Sequence, residues 1–279
     1  MRTEVVVPVA VGRSVGPRDW ILSIYGSFVR DAGGWIAVAD LLALLEPLGT
    51  DPAAGRAAIS RMKAGNELRA EDRDGRKGYA LTSSADEWFG YGSERILRPQ
   101  PAPETTAWLL ASFSVPENDR GARYQIRSRL KGLGFGQVSA GLMIAPAALE
   151  EETRHALIRI GLQDYVSIWT AEHRGFVSTA ALVAAAWDLG SIRSAFDQYL
   201  EFTQDLDGRA PAAAAEAFVA YLTAIQAWRE LPFLDPGIPP SLLPDDWPAA
   251  DALRSHVELS IRLRPLAERH ATSVMSRKR

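Results

Sequence analysis

The sequence predicts an α+β protein of several domains: an N-terminal winged helix-turn-helix, a central ferredoxin-like domain and a helical C-terminal domain. Three observations carry this. A helix with a cationic outer side runs into a charged two-stranded hairpin between Asp51 and Leu81. Strand and helix periodicities alternate as β-α-β-β-α-β between Ala107 and Ala171. From Thr179 onward only helical periodicity is left.

Pro17 to Asp31 (PRDWILSIYGSFVRD) places Ile21, Ile24, Tyr25 and Phe28 on one side at helical spacing, which predicts a core-facing helix. Gly33-Gly34 closes it. Trp35-Ile36 is short and apolar enough for a minimal strand, and Val38 to Leu48 supplies a second helix through Leu41, Leu42 and Leu45. Asp51-Pro52 starts a third, because the carboxylate can accept from first-turn amides and proline lacks only an N–H that has no helical partner there. Gly55, Ala58, Ile59 and Met62 recur at i, i+3, i+4 and i+7 and face inward, whereas Arg56, Ser60 and Lys63 face outward. Gly65 is expected to end this helix in a left-handed C-cap.

Leu68 to Arg73, the turn Asp74-Gly75 and Arg76 to Leu81 form a ribbon whose tip carries Arg73, Arg76 and Lys77. Helix, short strand, helix, helix and ribbon is the winged helix-turn-helix order. In that arrangement one helix can lie in a DNA major groove while the ribbon reaches phosphate or the minor groove. The same residues also suit a solvated helix with an ordinary charged hairpin, or a wing that docks on another protein.

Ser83 to Arg98 predicts one more helix, carrying Trp88, Phe89 and Tyr91. Prolines at 99, 101 and 103 then enforce extended backbone, so the first boundary is placed there, giving domains at 1–98, 105–174 and 175–279. Ala107 to Val115 alternates with Ala107, Leu109, Ala111, Phe113 and Val115 on one side, a strand. Asp119 to Gly132 is helical through Ile126, Leu130 and Leu133. Phe135 to Ala145 suits two short strands around Gly141, Leu149 to Ile160 a helix, and Tyr165 to Ala171 a strand. Thr179 to Trp187, Ile192 to Leu206 and Ala212 to Arg229 read as helices, with Phe196, Tyr199, Phe218, Tyr221 and Trp228 as core. The proline-rich stretch Leu231 to Pro248 should pack across them. A last helix from Ala249 to Arg264 turns Leu253, Val257, Ile261 and Leu263 inward, and Pro265 should stop or kink it.

A formal charge of -3 over 279 residues argues against a protein that coats nucleic acid by bulk electrostatics, so any DNA contact must come from a local patch. Even Asp51 to Ala80 holds seven Arg or Lys against five Asp or Glu, so such a patch gains from a dimer that presents it twice. With no cysteine there is neither a disulfide framework nor a thiolate metal site, in keeping with a reducing cytoplasm. The run Val5 to Val11 is broken by Pro8 and is too short for a signal segment, no window reaches bilayer length, and the tail Ser276 to Arg279 reads as a basic terminus.

The residues offer no catalytic constellation: no nucleophile elbow, phosphate-cradling loop or paired carboxylates, and His155, His173, His256 and His270 lack metal-ligand spacing. A metal-dependent nuclease built on the central domain would need clustered acids, and Phe113-Ser114-Val115-Pro116 supplies none. Arg120, Arg123, Arg127 and Lys131 form a basic stripe, which suits either a solvated side or an anion site.

Several segments together resemble the PaaX family of bacterial repressors of phenylacetate degradation. They are WILSIYGSFVRDAGGWI (Trp20 to Ile36), RAAISRM (Arg56 to Met62), GYALT (Gly78 to Thr82), RLKGLGFG (Arg129 to Gly136), AAAWDL (Ala184 to Leu189) and LPDDWP (Leu243 to Pro248). The resemblance spans about Arg18 to Ala267. It implies a winged helix, a central domain like the CRISPR-associated Cas2 protein, and a helical C-terminal domain. It further implies a cytoplasmic homodimer that binds double-stranded operator DNA and is released by an aryl acyl-CoA, typically phenylacetyl-CoA.

Arg56, Ser60 and Arg61 match the family's recognition-helix pattern, with Lys63 beside them, and Arg73, Arg76 and Lys77 fall in its wing. Relatives usually carry Gly-Trp-Leu after the recognition helix where this chain has Gly65-Asn66-Glu67-Leu68. For the effector, Arg120, Arg123 and Arg127 are candidates for the phosphates and Trp169 and Trp187 for the acyl group. The rival readings are a Cas2-like metal-dependent nuclease and a winged-helix protein-interaction module.

Overall fold

The computed structural model describes residues 15–276 apart from 103, 105, 106, 118, 208–210 and 212, and apart from the side chains of Trp88, Tyr91 and Asp207. The expectations for Val5 to Val11, the last three residues of the tail, and the Trp88 and Tyr91 side chains lie outside the described residues. By its contacts the chain divides into two compact units. One comprises residues 1–99, 198–230 and 251–279, the other 100–197 and 231–250.

In the first unit, α1 (Pro17–Ile24) passes into a π-helical turn over Tyr25–Val29, so the predicted first helix forms in two pieces. Next come β1 (Trp35–Ala37), α2 (Val38–Leu45), a 3-10 turn at Glu46–Leu48, α3 (Pro52–Ala64), β2 (Leu68–Arg73), β3 (Arg76–Leu81) and α4 (Ser83–Leu97). The three strands are antiparallel in the order β1-β3-β2, with Trp35 opposite Ala80 and Arg73 opposite Arg76. Asp74 and Gly75 both take positive φ (51° and 75°), the backbone that a two-residue hairpin requires and that Asp-Gly supplies at low strain.

Two other parts of the chain complete this unit's core. Within α8 (Leu189–Asp207), residues from 198 onward belong here, together with α9 (Ala214–Trp228) and most of α11 (Ala249–Met275). Ile21, Ile24, Phe28, Leu41, Leu45, Ile59 and Met62 share one cluster with Phe218, Leu222, Ile225, Leu259 and Leu263. Phe28 stacks on Phe218 at 5.5 Å. Gln226 Nε2 donates to Asp19 C=O at 2.9 Å and to Ser23 Oγ at 2.7 Å, and Arg229 meets the Asp19 carboxylate at 2.9 Å. Asp19 is thus a buried acid with a specific cation in the helix beside it.

The last helix departs from expectation twice. It runs to Met275 through Pro265, and its inner side is Ala252, His256, Leu259, Leu263, Ala267, Ala271 and Val274, while Val257 and Ile261 are exposed. Pro265 leaves the carbonyl four residues back without a helical donor. Because both Pro265 and Ile261 lie on the exposed side, water can serve that carbonyl and the helix continues. This inner side is built largely from alanines and a histidine, which carry little weight in an apolar pattern.

In the second unit, β4 (Ala107–Phe113), α5 (Arg120–Gly132), β5 (Gly136–Ser139), β6 (Leu142–Pro146), α6 (Glu150–Arg159) and β7 (Val166–Glu172) follow the predicted β-α-β-β-α-β order. The sheet runs β5-β6-β4-β7, every neighbouring pair antiparallel. Leu109, Ala111, Phe113 and Val115 share one buried cluster with Ile126, Leu130 and Ala156, as their alternation predicts. On the other side Trp108 and Trp187 meet at 6.1 Å. Trp187 follows α7 (Thr179–Ala186), donates its indole N–H to Gly134 C=O at 2.8 Å, and covers Gly136, where a Cβ would come within 2.7 Å of the indole. The proline-rich stretch forms α10 (Leu231–Leu234) and a 3-10 turn at Pro240–Leu242; Trp247 donates to Asp235 at 3.1 Å and packs edge-on against Phe196.

Candidate nucleic-acid interface

The outward surface of α3 begins with its cap. Asp51 Oδ1 accepts from the N–H groups of Ala53 and Ala54, each at 2.9 Å, and Pro52 follows. Gly55, Ala58, Ile59 and Met62 are buried as their spacing predicts. Gly55 is required by close approach, since a Cβ there would sit 2.7 Å from a Leu42 methyl of α2. Opposite this face Arg56, Ser60, Arg61 and Lys63 are exposed, with the small residues Ala53, Ala57 and Ala64 between them. The helix is therefore slim on its free side, so its backbone can approach a groove closely while three cations flank it. Sequence reasoning passed over Ala57, whose exposed methyl is of the kind that contacts thymine; its only signal was its place beside Arg56.

The C-terminus differs from expectation. Gly65 keeps φ at −78°, its N–H still bonding to Arg61 C=O at 2.8 Å, and Asn66 takes the left-handed conformation at φ 56°. Glu67 N–H then closes onto Met62 C=O at 2.9 Å. Asparagine tolerates this backbone better than other side chains, which explains its place ahead of the wing. Arg18 pairs with Glu67 at 2.9 Å, tying the start of α1 to the same turn.

The wing's cations divide into two kinds. Arg73 donates to Glu71 at 2.6 Å and to Gly33 C=O at 3.3 Å, and its guanidinium lies 5.6 Å from the Trp35 ring centroid. Arg69 meets the same Glu71 at 2.6 Å. The hydrogen bond from Arg73, with Arg69 close by, holds the Glu71 carboxyl below the usual carboxylate range. Arg76 reaches Asp40 on α2, an acid buried to 4% exposure. Lys77 is exposed and, like Arg56, Arg61 and Lys63, makes no ion pair among the described residues. The structure thus brings Arg56, Ser60, Arg61 and Lys63 together on one surface, leaves Lys77 free on the wing, and uses Arg73 and Arg76 to fix the wing's shape.

The candidate effector residues are not brought together. Arg120, Arg123 and Arg127 project from α5, where Arg123 donates to Val115 C=O at 3.0 Å and Arg127 to Gln137 Oε1 at 2.6 Å. Trp169 and Trp187 belong to the opposite side of the sheet. Trp169 is 51% exposed there, whereas Trp187 is buried against Trp108 and Gly136. Among the described residues no group of three or more His, Asp or Glu is placed to hold a metal ion, and no helix is long and apolar enough to cross a membrane.

A winged helix with an exposed cationic recognition helix, joined to a ferredoxin-like sheet, defines a winged-helix regulator. The family model described as PaaX-like protein matches residues 17–85, that of the PaaX protein central Cas2-like domain residues 101–183, and that of the PaaX-like protein C-terminal domain residues 187–273. The chain belongs to the PaaX family. Over 256 residues it is 27% identical to the transcriptional repressor PaaX of Escherichia coli, covering 88% of this chain and 80% of that one. The solved structure of the uncharacterized protein Rv0674 from Mycobacterium tuberculosis shares its fold, with a TM-score of 0.58 at 20% identity over 92% of this chain and 99% of that one.

Proposed function

We propose that this protein is a cytoplasmic transcriptional repressor that binds double-stranded operator DNA as a homodimer and is released by an aryl acyl-CoA such as phenylacetyl-CoA. The observation that carries the reading is the free surface of α3. Arg56, Arg61 and Lys63 make no ion pair among the described residues and surround Ser60 on a helix whose other side is fixed in a core. On this reading Arg56 and Ser60 approach base edges or adjacent phosphates, while Arg61, Lys63 and Lys77 hold the backbone; Arg73 and Arg76 act through the shape of the wing. The E. coli relative, named a transcriptional repressor, supports the direction of control.

For the effector, Arg120, Arg123 and Arg127 suit the phosphates of a CoA. Trp169 and Trp187 do not share their side of the sheet, so the acyl group is assigned to neither. Gel shifts against DNA upstream of its own coding region, with and without phenylacetyl-CoA, test both halves. Binding that is lost on Arg56→Ala with Arg61→Ala, and released by the thioester, is expected. Intact binding by that double variant would overturn the α3 assignment, and indifference to the thioester would overturn the effector.

A further inference from the structure

The helix α5 carries charge of one sign. From Arg120 to Gly132 it holds four arginines and one lysine and no acid, in a chain whose formal charge is -3. Arg120, Arg123, Tyr124, Arg127, Ser128 and Lys131 are all exposed, and each ends in a hydrogen-bond donor. Tyr124, at 73% exposure, stands out in solvent among the cations.

Other exposed helix cations of this protein are neutralised within their own helix. Arg98 pairs with Glu94, Arg154 with Glu150 and Arg264 with Glu268, in each case four residues apart. On α5 that spacing joins Arg123 to Arg127 and Arg127 to Lys131, like charges that weaken a helix. Arg120 adds a cation in the first turn, where the helix dipole disfavours one. The acid beside it, Asp119, serves as the cap and accepts from Ala122 N–H at 3.1 Å.

These cations are positioned without being neutralised. Arg123 is held by Val115 C=O and Arg127 by Gln137 Oε1, both uncharged acceptors. Arg120, Arg123, Arg127 and Lys131 make no ion pair among the described residues. Asp188, near Lys131, is already engaged by the N–H and hydroxyl of Ser191 at 3.0 and 2.7 Å. Positive charge continues toward α6, where burial, with Arg129 close by, lowers the Arg159 pKa from arginine's ordinary value. The arrangement is unfavourable in the free protein and is relieved by a ligand with many negative charges in a row. From Arg120 to Lys131 the stripe is about 16 Å long. A DNA strand presents a phosphate about every 3.4 Å of axis, so a stripe of this length suits a run of backbone. Arginine, lysine, tyrosine and serine are side chains that bind phosphate oxygens and position a protein on a duplex.

We propose that the exposed face of α5 is a second DNA contact, which holds a run of the operator's sugar-phosphate backbone apart from the base pairs read by α3. This rests on the reading of the protein as a repressor and adds a route for release. Arg120, Arg123 and Arg127 also suit the phosphates of a CoA, so operator backbone and effector are rivals for one face.

Hydroxyl-radical footprinting of the full-length protein, at saturating concentration on DNA upstream of its own coding region, tests the contact. Arg120→Gln with Arg127→Gln and Lys131→Gln should lose protection at one run of backbone and keep it elsewhere. In fluorescence anisotropy this variant should bind about tenfold more weakly, with the slope of log affinity against log salt reduced by about one per cation removed. Its melting temperature should not fall, because like-charge pairs have been removed. Arg120→Lys with Arg127→Lys keeps the charge and should keep the parent's footprint and slope. A footprint, affinity and slope like the parent's in the glutamine variant overturns the proposal, and so does a variant that loses only its response to phenylacetyl-CoA, which assigns α5 to the effector alone. Protection weakened evenly along the whole operator also overturns it. Each of these results leaves the repressor reading standing, whereas a parent chain that shifts no operator DNA overturns both.

Discussion

One guanidinium nitrogen of Arg76 lies 2.8 and 2.7 Å from the two carboxylate oxygens of Asp40, an acid at the start of α2 whose side chain is 6% exposed. A residue that reads in sequence as a wing cation for DNA also braces the wing against the helix packed beneath it. Arg76→Ala leaves a buried carboxylate without its cation and is expected to cost about 3 kcal/mol in urea unfolding. Asp40→Asn in the same chain should recover part of that loss, which a direct DNA-contact role for Arg76 would not produce.

The exposed cations of α3 should behave in the opposite way. Arg56→Ala, Arg61→Ala and Lys63→Ala are each expected to change stability by no more than about 0.5 kcal/mol. If a cation contacts phosphate, its removal reduces the slope of log affinity against log salt by about one. Fluorescence anisotropy on operator DNA over a salt series separates these residues from Arg76. An unchanged slope for all three would remove α3 from the interface.

Gly78 is fixed by contact rather than by backbone angle. A Cβ there would lie 2.4 Å from two atoms of the Trp35 ring and 2.5 Å from Ile36 C=O, and the Trp35 indole N–H is itself held by Glu71 C=O at 2.9 Å. Neither neighbour can yield without β1 leaving the sheet. Gly78→Ala should therefore destabilise the winged helix by about 2 kcal/mol or more in thermal unfolding, and weaken DNA binding with it.

Stability should also fall on the acid side through one histidine. Burial pushes the His256 pKa down to about 3; its imidazole is stacked on Trp228 at 4.4 Å, with Nδ1 2.7 Å from the Tyr199 hydroxyl. The unfolded chain binds this proton near pH 6.5 and the folded chain does not until about pH 3. The histidine's contribution is whole above pH 6.5 and declines below it, by up to about 1.4 kcal/mol per pH unit. Urea unfolding of the parent and of His256→Asn at pH 7 and pH 5 checks this, with the smaller pH dependence expected in the variant.

Local signals made most of the fold legible. Asp51-Pro52, Asp74-Gly75 and the alternation from Leu109 to Val115 each specify their own geometry through a cap, a turn or a period. The inner side of α11 was not legible, because Ala252, His256, Ala267 and Ala271 are buried by what packs on them rather than by their own hydrophobicity. For the candidate site, the exposed surface of α3 follows from helical spacing alone. Which wing cations are free does not, since Asp40 is 36 residues from Arg76 and nothing in their spacing joins them. The tryptophans of the central sheet illustrate the same limit: a strand's alternation tells which side Trp169 takes, but the cover over Trp187 comes from the distant Gly134 and Gly136.

The core beneath the recognition helix has a consequence for how the protein is made. Phe28 stacks on Phe218, and the buried Asp19 waits for Arg229, 210 residues further along the chain. While the ribosome is still translating the central sheet, the winged helix has its own three strands and helices but an uncovered apolar flank and an acid lacking its cation. A prematurely terminated product ending near Pro99 would therefore be prone to degradation and a poor competitor for the operator. The winged helix completes its core only after α9 and α11 have been made, so its stability depends on segments more than 110 residues downstream.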